Sequence, residues 1–128
     1  MAENLDIKKS VWAEVEHAAP KDAILSTNTS GLSPTALQSV LKKPERFVVA
    51  HFWNPAQLMP LVEVVPGEKT DPKVVDITFD LMAKIGKKPA KIKKESLGFV
   101  GNRLQLAVLR EAFYISSRAS RTRPPWTT

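Results

Sequence analysis

Two short stretches near the middle of the chain are apolar without interruption, Phe47-Val48-Val49-Ala50 and Leu61 to Val65 (with Glu63 as the one exception). Both have the length and β-branched content of strands. Strands apolar at nearly every position belong to a sheet covered on both faces, and a parallel sheet is expected. Around them the period is helical. Residues 4–18 carry apolar side chains at Ile7, Val11, Val15 and Ala18, with Trp12 beside them, and Ala19-Pro20 stops the helix. Residues 23–27 (AILST) predict a short strand, and Ser33-Pro34 predicts a capped helix running through Leu41. Asp71-Pro72 opens a third helix with an expected buried stripe of Val74, Thr78, Leu81, Met82 and Ile85, and Gly86 ends it. Residues 89–93 alternate Lys with Ala and Ile, as edge strands do. From Gly98 the helical pattern is apolar on two sides, Val100, Leu104, Val108 and Ile115 on one and Leu106, Leu109 and Phe113 on another. A helix apolar nearly all round is central to a helical domain. The order is a helix, then β–α–β–β–α–β, then one helix of something larger.

Against this background the chemistry concentrates in two residues. His51 ends the first apolar run, within His51-Phe52-Trp53-Asn54-Pro55, and Glu63 sits inside the second. A buried carboxylate needs a partner, because desolvating it alone is prohibitively costly. His51 is the obvious candidate, and a carboxylate-supported imidazole is a common general base. The alternative is a histidine at a strand end and a glutamate bonded to backbone amides. The loop Asn28-Thr29-Ser30-Gly31 follows the first short strand, at the carboxyl end where open α/β sheets place their ligands; it also reads as a turn leading to a helix cap.

Composition narrows the classes. At 128 residues, with 43% apolar and 25% charged residues, the chain is a single globular unit at most. It has no cysteine and two histidines, which excludes disulfides and thiolate metal sites. No apolar run reaches membrane-spanning length and the N-terminus is no signal peptide, so a cytoplasmic protein without membrane partners is expected. The net charge of +6 hints at nucleic acid, but residues 116–128 hold three arginines and no acid. The cluster at 84–94 (KIGKKPAKIKK) has no interleaved aromatic residue, so a solvated face is expected and nucleic acid is not.

Five blocks then carry a family likeness. ENLDIK (3–8), ILSTNTSGLS (24–33), VVAHFWNP (48–55), LVEVV (61–65) and GFVGNR (98–103) resemble, in order and spacing, the 3-hydroxyacyl-CoA dehydrogenases, over residues 2–115. The resemblance implies an α/β fold: the C-terminal half of a Rossmann-type NAD-binding domain (1–94), followed by the first helix of an all-helical C-terminal domain (95–115), with 116–128 a disordered tail. It implies NAD as cofactor, an acyl-CoA as substrate and a homodimeric full-length parent. It makes His51 the base that takes the proton from a 3-hydroxyl, and Glu63 the carboxylate that orients it. Ser30 and Asn102 match substrate-binding positions, and Glu3, Lys8, Ser30 and Asn54 match cofactor-binding ones. Related enzymes of this architecture oxidise other β-hydroxy acids, such as carnitine or gulonate. The alternative in another class is a catalytically inactive remnant.

The chain departs from the family pattern in three ways. GxGxxG is absent, Leu97 and Gly101 stand where proline and a bulkier apolar residue are usual, and the pattern lapses from Ser116 onward. Catalytic groups accelerate hydride transfer only when the nicotinamide is held near contact distance. The 128-residue chain alone is therefore expected to show no dehydrogenase turnover, and NADH formation by the purified chain would overturn this.

Overall fold

The computed structural model describes residues 4–119. One sheet holds four strands, β1 (Leu25–Thr27), β2 (Phe47–Phe52), β3 (Leu61–Pro66) and β4 (Lys88–Lys91), in the order β1-β2-β3-β4. β1 pairs parallel with β2 and β3 parallel with β4, but β2 and β3 run antiparallel. The wholly parallel sheet expected from the sequence is thus corrected. A parallel pair needs a crossover of a dozen or more residues, which the helix-containing segments 28–46 and 67–87 provide and segment 53–60 does not. The apolar runs have another cause, since both faces are covered. On one face Val48, Ala50, Val62 and Val64 pack with Met82 of α3 (Pro72–Lys84). On the other, Leu25 and Phe47 pack with Leu37 of α2 (Pro34–Gln38) and with Leu41, while Val49 and Val65 meet Phe99.

The opening helix, α1 (Leu5–Ala18), begins at Asn4, whose side chain accepts from Asp6 N and Ile7 N. Its inward face is not the expected Ile7, Val11, Val15 and Ala18. Leu5, Lys8 and Trp12 turn inward, whereas Ile7 and Val15 are exposed. The largest apolar side chain decides the rotation: the Trp12 indole meets the Phe47 ring edge-on at 5.0 Å. In α3 the covered stripe is Thr78 and Met82 with half-buried Val74 and Val75, and the expected Leu81 and Ile85 are exposed. One sheet face covers only a stripe of a helix, and these two fall outside it.

Two boundaries move for physical reasons. α2 stops at Gln38 instead of Leu41, because the buried Gln38 amide donates to Pro44 O (2.9 Å) and Thr70 Oγ1 (2.8 Å). The last helix, α4 (Gly101–Ala119), passes through 116–119, which the sequence reading placed in a tail. No breaker intervenes there, Ser117 Oγ donates to Tyr114 O, and Arg118 lies 4.8 Å from the Tyr114 ring centroid. Residues 120–128 of that expected tail lie outside the described residues. Apolar side chains on both sides of α4, Leu104 and Val108 on one and Leu106 and Phe113 on the other, are exposed. Among the described residues no helix is long and apolar enough to cross a membrane.

A polar clamp ties α1 to the approach to β2. The Glu16 carboxylate accepts from Lys42 N (2.7 Å) and Lys43 N (2.8 Å) and lies 3.7 Å from Arg46. Arg46, itself buried, donates to Pro20 O and Ala23 O. Burial alone pushes the Glu16 carboxyl up, but the two backbone N–H groups and the guanidinium outweigh it and hold the group below its ordinary 4.5. A carboxyl lowered on folding stabilises the folded state fully above its unfolded pKa, and loses that contribution as pH falls through the folded value. Glu16→Gln is expected to cost about 1.5 kcal/mol at neutral pH, the scale of a hydrogen bond to a charged group. Denaturant unfolding from pH 7 down to acid checks this: the gap between parent and variant should narrow on acidification, and a constant gap would refute it.

Candidate active site

The antiparallel register sets His51 directly opposite Glu63. Alternation along β2 puts His51 on the same face as Phe47 and Val49, and directly paired residues of adjacent strands share a face, with Cβ atoms about 5 Å apart. His51 Nδ1 lies 3.0 Å from Glu63 Oε2, with His51 7% and Glu63 2% exposed. The second carboxylate oxygen, Oε1, accepts from Val100 N and Gly101 N, both at 3.1 Å. The two readings open at the level of sequence therefore both hold, one on each oxygen. An ionised carboxylate only accepts, so Nδ1 carries the proton and Nε2 is left as the imidazole's acceptor.

The walls of the pair are aromatic. The His51 ring lies 5.5 Å from the Trp53 ring and 5.7 Å from Phe99. Phe99 (φ 49°) follows Gly98 (φ 75°), so the turn into α4 is left-handed at two consecutive residues. A non-glycine residue there is strained, and such strain clusters at functional sites. The turn sends Phe99 into the core and aims Val100 N and Gly101 N at Glu63.

The other sequence candidates fall in separate places. Ser30 and Asn102, both half-buried, line one hollow of about 410 Å³ together with Leu97, Gln105 and Leu106. His51 and Asn54 do not line it. Asn54 is exposed beyond Trp53, at a cis Asn54–Pro55 bond. Lys8 is buried on the inner face of α1 between Leu5 and Trp12. Glu3 lies outside the described residues. Trp53, Phe99 and Gly101 were missed by sequence reasoning as parts of the site. Their signal was present in Gly98 and Gly101 flanking an apolar pair, but nothing local says that this turn meets Glu63. Asn28, part of the loop singled out after the first strand, holds that loop to β2 by accepting from Phe52 N at 2.7 Å. Among the described residues no group of three or more His, Asp or Glu could hold a metal ion.

Residues 1–96 match the family model described as 3-hydroxyacyl-CoA dehydrogenase, NAD binding domain. The chain belongs to the 3-hydroxyacyl-CoA dehydrogenase family. It is 46% identical over 114 residues to an L-carnitine dehydrogenase of Mesorhizobium japonicum, covering 88% of this chain and 31% of that protein. Among solved structures, 5-formyl-3-hydroxy-2-methylpyridine 4-carboxylic acid 5-dehydrogenase, an NAD+-dependent dismutase, superposes with a TM-score of 0.89 at 40% identity, covering 92% of this chain and 38% of that one. The 3-hydroxybutyryl-CoA dehydrogenase of Escherichia coli K12 gives 0.86 at 37% identity, covering 91% and 25%. The chain spans about a third of the length of the curated relatives it matches. The fold is thus the Rossmann-type NAD-binding domain of an oxidoreductase family.

The donor set fits one end of that cofactor. Hydroxyl and amide groups of Asn28–Ser30 and of Asn54, at the carboxyl ends of β1 and β2, suit a nicotinamide carboxamide. A pyrophosphate is gripped by free N–H groups at a helix start. Among the described residues side chains of the chain itself already accept from backbone N–H groups at all four α-helix starts: Asn4 at α1, Ser33 and Glu95 at α2, Asp71 at α3 and Glu63 at α4.

Glu63→Ala orphans three donors and is expected to cost about 3 kcal/mol or more in denaturant unfolding. Glu63→Gln keeps the shape but offers an NH2 to Nδ1, which should move the imidazole proton to Nε2. Imidazole nitrogen chemical shifts read this directly, and an unchanged tautomer would show that the carboxylate does not set it.

Proposed function

We propose that this chain carries the proton-transfer side of an NAD-dependent dehydrogenase that oxidises the 3-hydroxyl of an L-3-hydroxyacyl-CoA to a ketone. The observation that carries the reading is the buried His51–Glu63 pair, with Nδ1 protonated toward the carboxylate and Nε2 left to accept. His51 takes the hydroxyl proton at Nε2, and the nearby negative charge of Glu63 stabilises the imidazolium so formed. NAD, when bound, accepts the hydride from the carbinol carbon. Ser30 and Asn102, which share a hollow, donate to substrate oxygens, and Asn54 and Ser30 orient the nicotinamide. Glu3 and Lys8 belong to this proposal as cofactor-side residues on the strength of the family motif. The full-length protein is proposed to act as a homodimer, away from membranes and nucleic acid.

A second reading has its own support. The relatives at 46%, 45% and 40% identity include L-carnitine dehydrogenases, one of them joined to a betainyl-CoA thioesterase, so a small β-hydroxy acid is the competing substrate. The two are separated by titrating the chain with NADH while following nicotinamide fluorescence, alone and with acetoacetyl-CoA or 3-dehydrocarnitine. Weak, saturable NADH binding that tightens with acetoacetyl-CoA is expected. Tightening with 3-dehydrocarnitine alone would favour the second reading, and no saturable binding would overturn the assignment of a cofactor site to these residues.

A further inference from the structure

Glu63 serves two masters. One oxygen faces His51, and the other holds the first turn of α4 through Val100 N and Gly101 N. Two of the carboxylate's three donors therefore come from a helix that starts far away in sequence, and any shift of that helix removes them together. What seats the helix is steric. A Cβ on Gly101 would overlap Trp53 Cζ2 and lie 2.8 Å from Cη2 and 2.9 Å from Cε2, so the indole occupies the space a side chain would need. The same indole flanks the His51 ring at 5.5 Å. Its Nε1 is buried without a hydrogen-bond partner, so the indole is held here by packing and not by its polar atom. Phe99, left-handed at φ 49° and 2% exposed, closes the opposite side of the imidazole.

We propose that Trp53 is a positioning residue: packed over Gly101, it seats the first turn of α4 on Glu63 and thereby fixes the carboxylate that orients His51. The importance of this seat rests on the reading of His51 as base, whereas its existence does not. Trp53 and Gly101 then form a steric pair, in which a side chain at 101 is tolerated only when the indole is gone. The consequence is coupling. Displacement of α4 strips Oε1 of both donors and leaves the imidazole facing a carboxylate free to rotate.

The test uses three variants of the chain, Gly101→Ala, Trp53→Ala and the double variant. Amide hydrogen exchange is read at residues 100 and 101, with Val48 and Val64 in the sheet as controls, and the His51 Nδ1–H proton is read by NMR. Gly101→Ala should speed exchange at 100 and 101 at least tenfold and abolish or shift the Nδ1–H resonance while the sheet amides stay protected. Adding Trp53→Ala should restore exchange at both positions and bring back the resonance. If Gly101→Ala unfolds altogether, recovery of folding in the double variant supports the steric pair, and failure to recover overturns it. Unchanged exchange in Gly101→Ala, or faster exchange with an unmoved Nδ1–H signal, would also overturn the proposal. None of these readings needs turnover or NADH, so a failed cofactor titration would sink the functional assignment and leave this result standing.

Discussion

A carboxylate in the middle of an apolar strand has to collect donors, and the layout of this domain follows from how Glu63 does so. β3 cannot supply them, since its own amides are committed to the ladders with β2 and β4. One donor comes across the sheet from His51 and two arrive from the start of α4. Each source constrains the chain. The first requires β2 and β3 to pair antiparallel in the register that sets 51 against 63, and the second requires the turn at 98–101 to come down onto the sheet. The left-handed backbone at Gly98 and Phe99 is the local cost of that approach.

The same demand gives the two sheet faces different characters. The face under α3 is a plain apolar layer of valines against Met82. The opposite face carries hydrophobic packing at one end, where Trp12 meets Phe47, and the His–Glu chemistry at the other. Polar clamps hold the elements that cover this second face: Glu16 and Arg46 anchor α1, and Glu95 caps α2 from a distance by accepting from Ser33 Oγ and Thr35 N. Each uses a charged group to satisfy backbone or hydroxyl groups that hydrophobic contact leaves bare. Helix α4 is held only at its start, and the rest of its apolar surface meets no other element of the chain.

Membership of the 3-hydroxyacyl-CoA dehydrogenase family fixes the cofactor class of the domain and leaves the substrate open, because the residues that pair here serve any β-hydroxy oxidation. A base and its carboxylate act on the carbinol. The remainder of the substrate is read by surfaces such as the Ser30–Asn102 hollow, whose residues are small and polar enough to suit more than one partner.

Much of this was legible before the structure. Local rules placed Asn4, Ser33 and Asp71 at helix starts, and the capping bonds are there. The isolation of Glu63 among valines pointed to a buried carboxylate, and His51 was the nearest group able to answer it. What was not legible depends on distance in sequence. The rotation of α1 was set by where Phe47 lies, not by the spacing of Ile7, Val11 and Val15. The reversal of β3 came from a connection too short to cross over, a length that periodicity ignores. The double use of Glu63, and the contact of Trp53 with Gly101, join residues from three elements. By itself the sequence determined the elements, their caps and the chemical identity of the pair, because these follow from neighbouring residues. Only the tertiary structure decided which faces meet and what shares the carboxylate, because a buried charge draws on whatever donors the folded chain brings within reach.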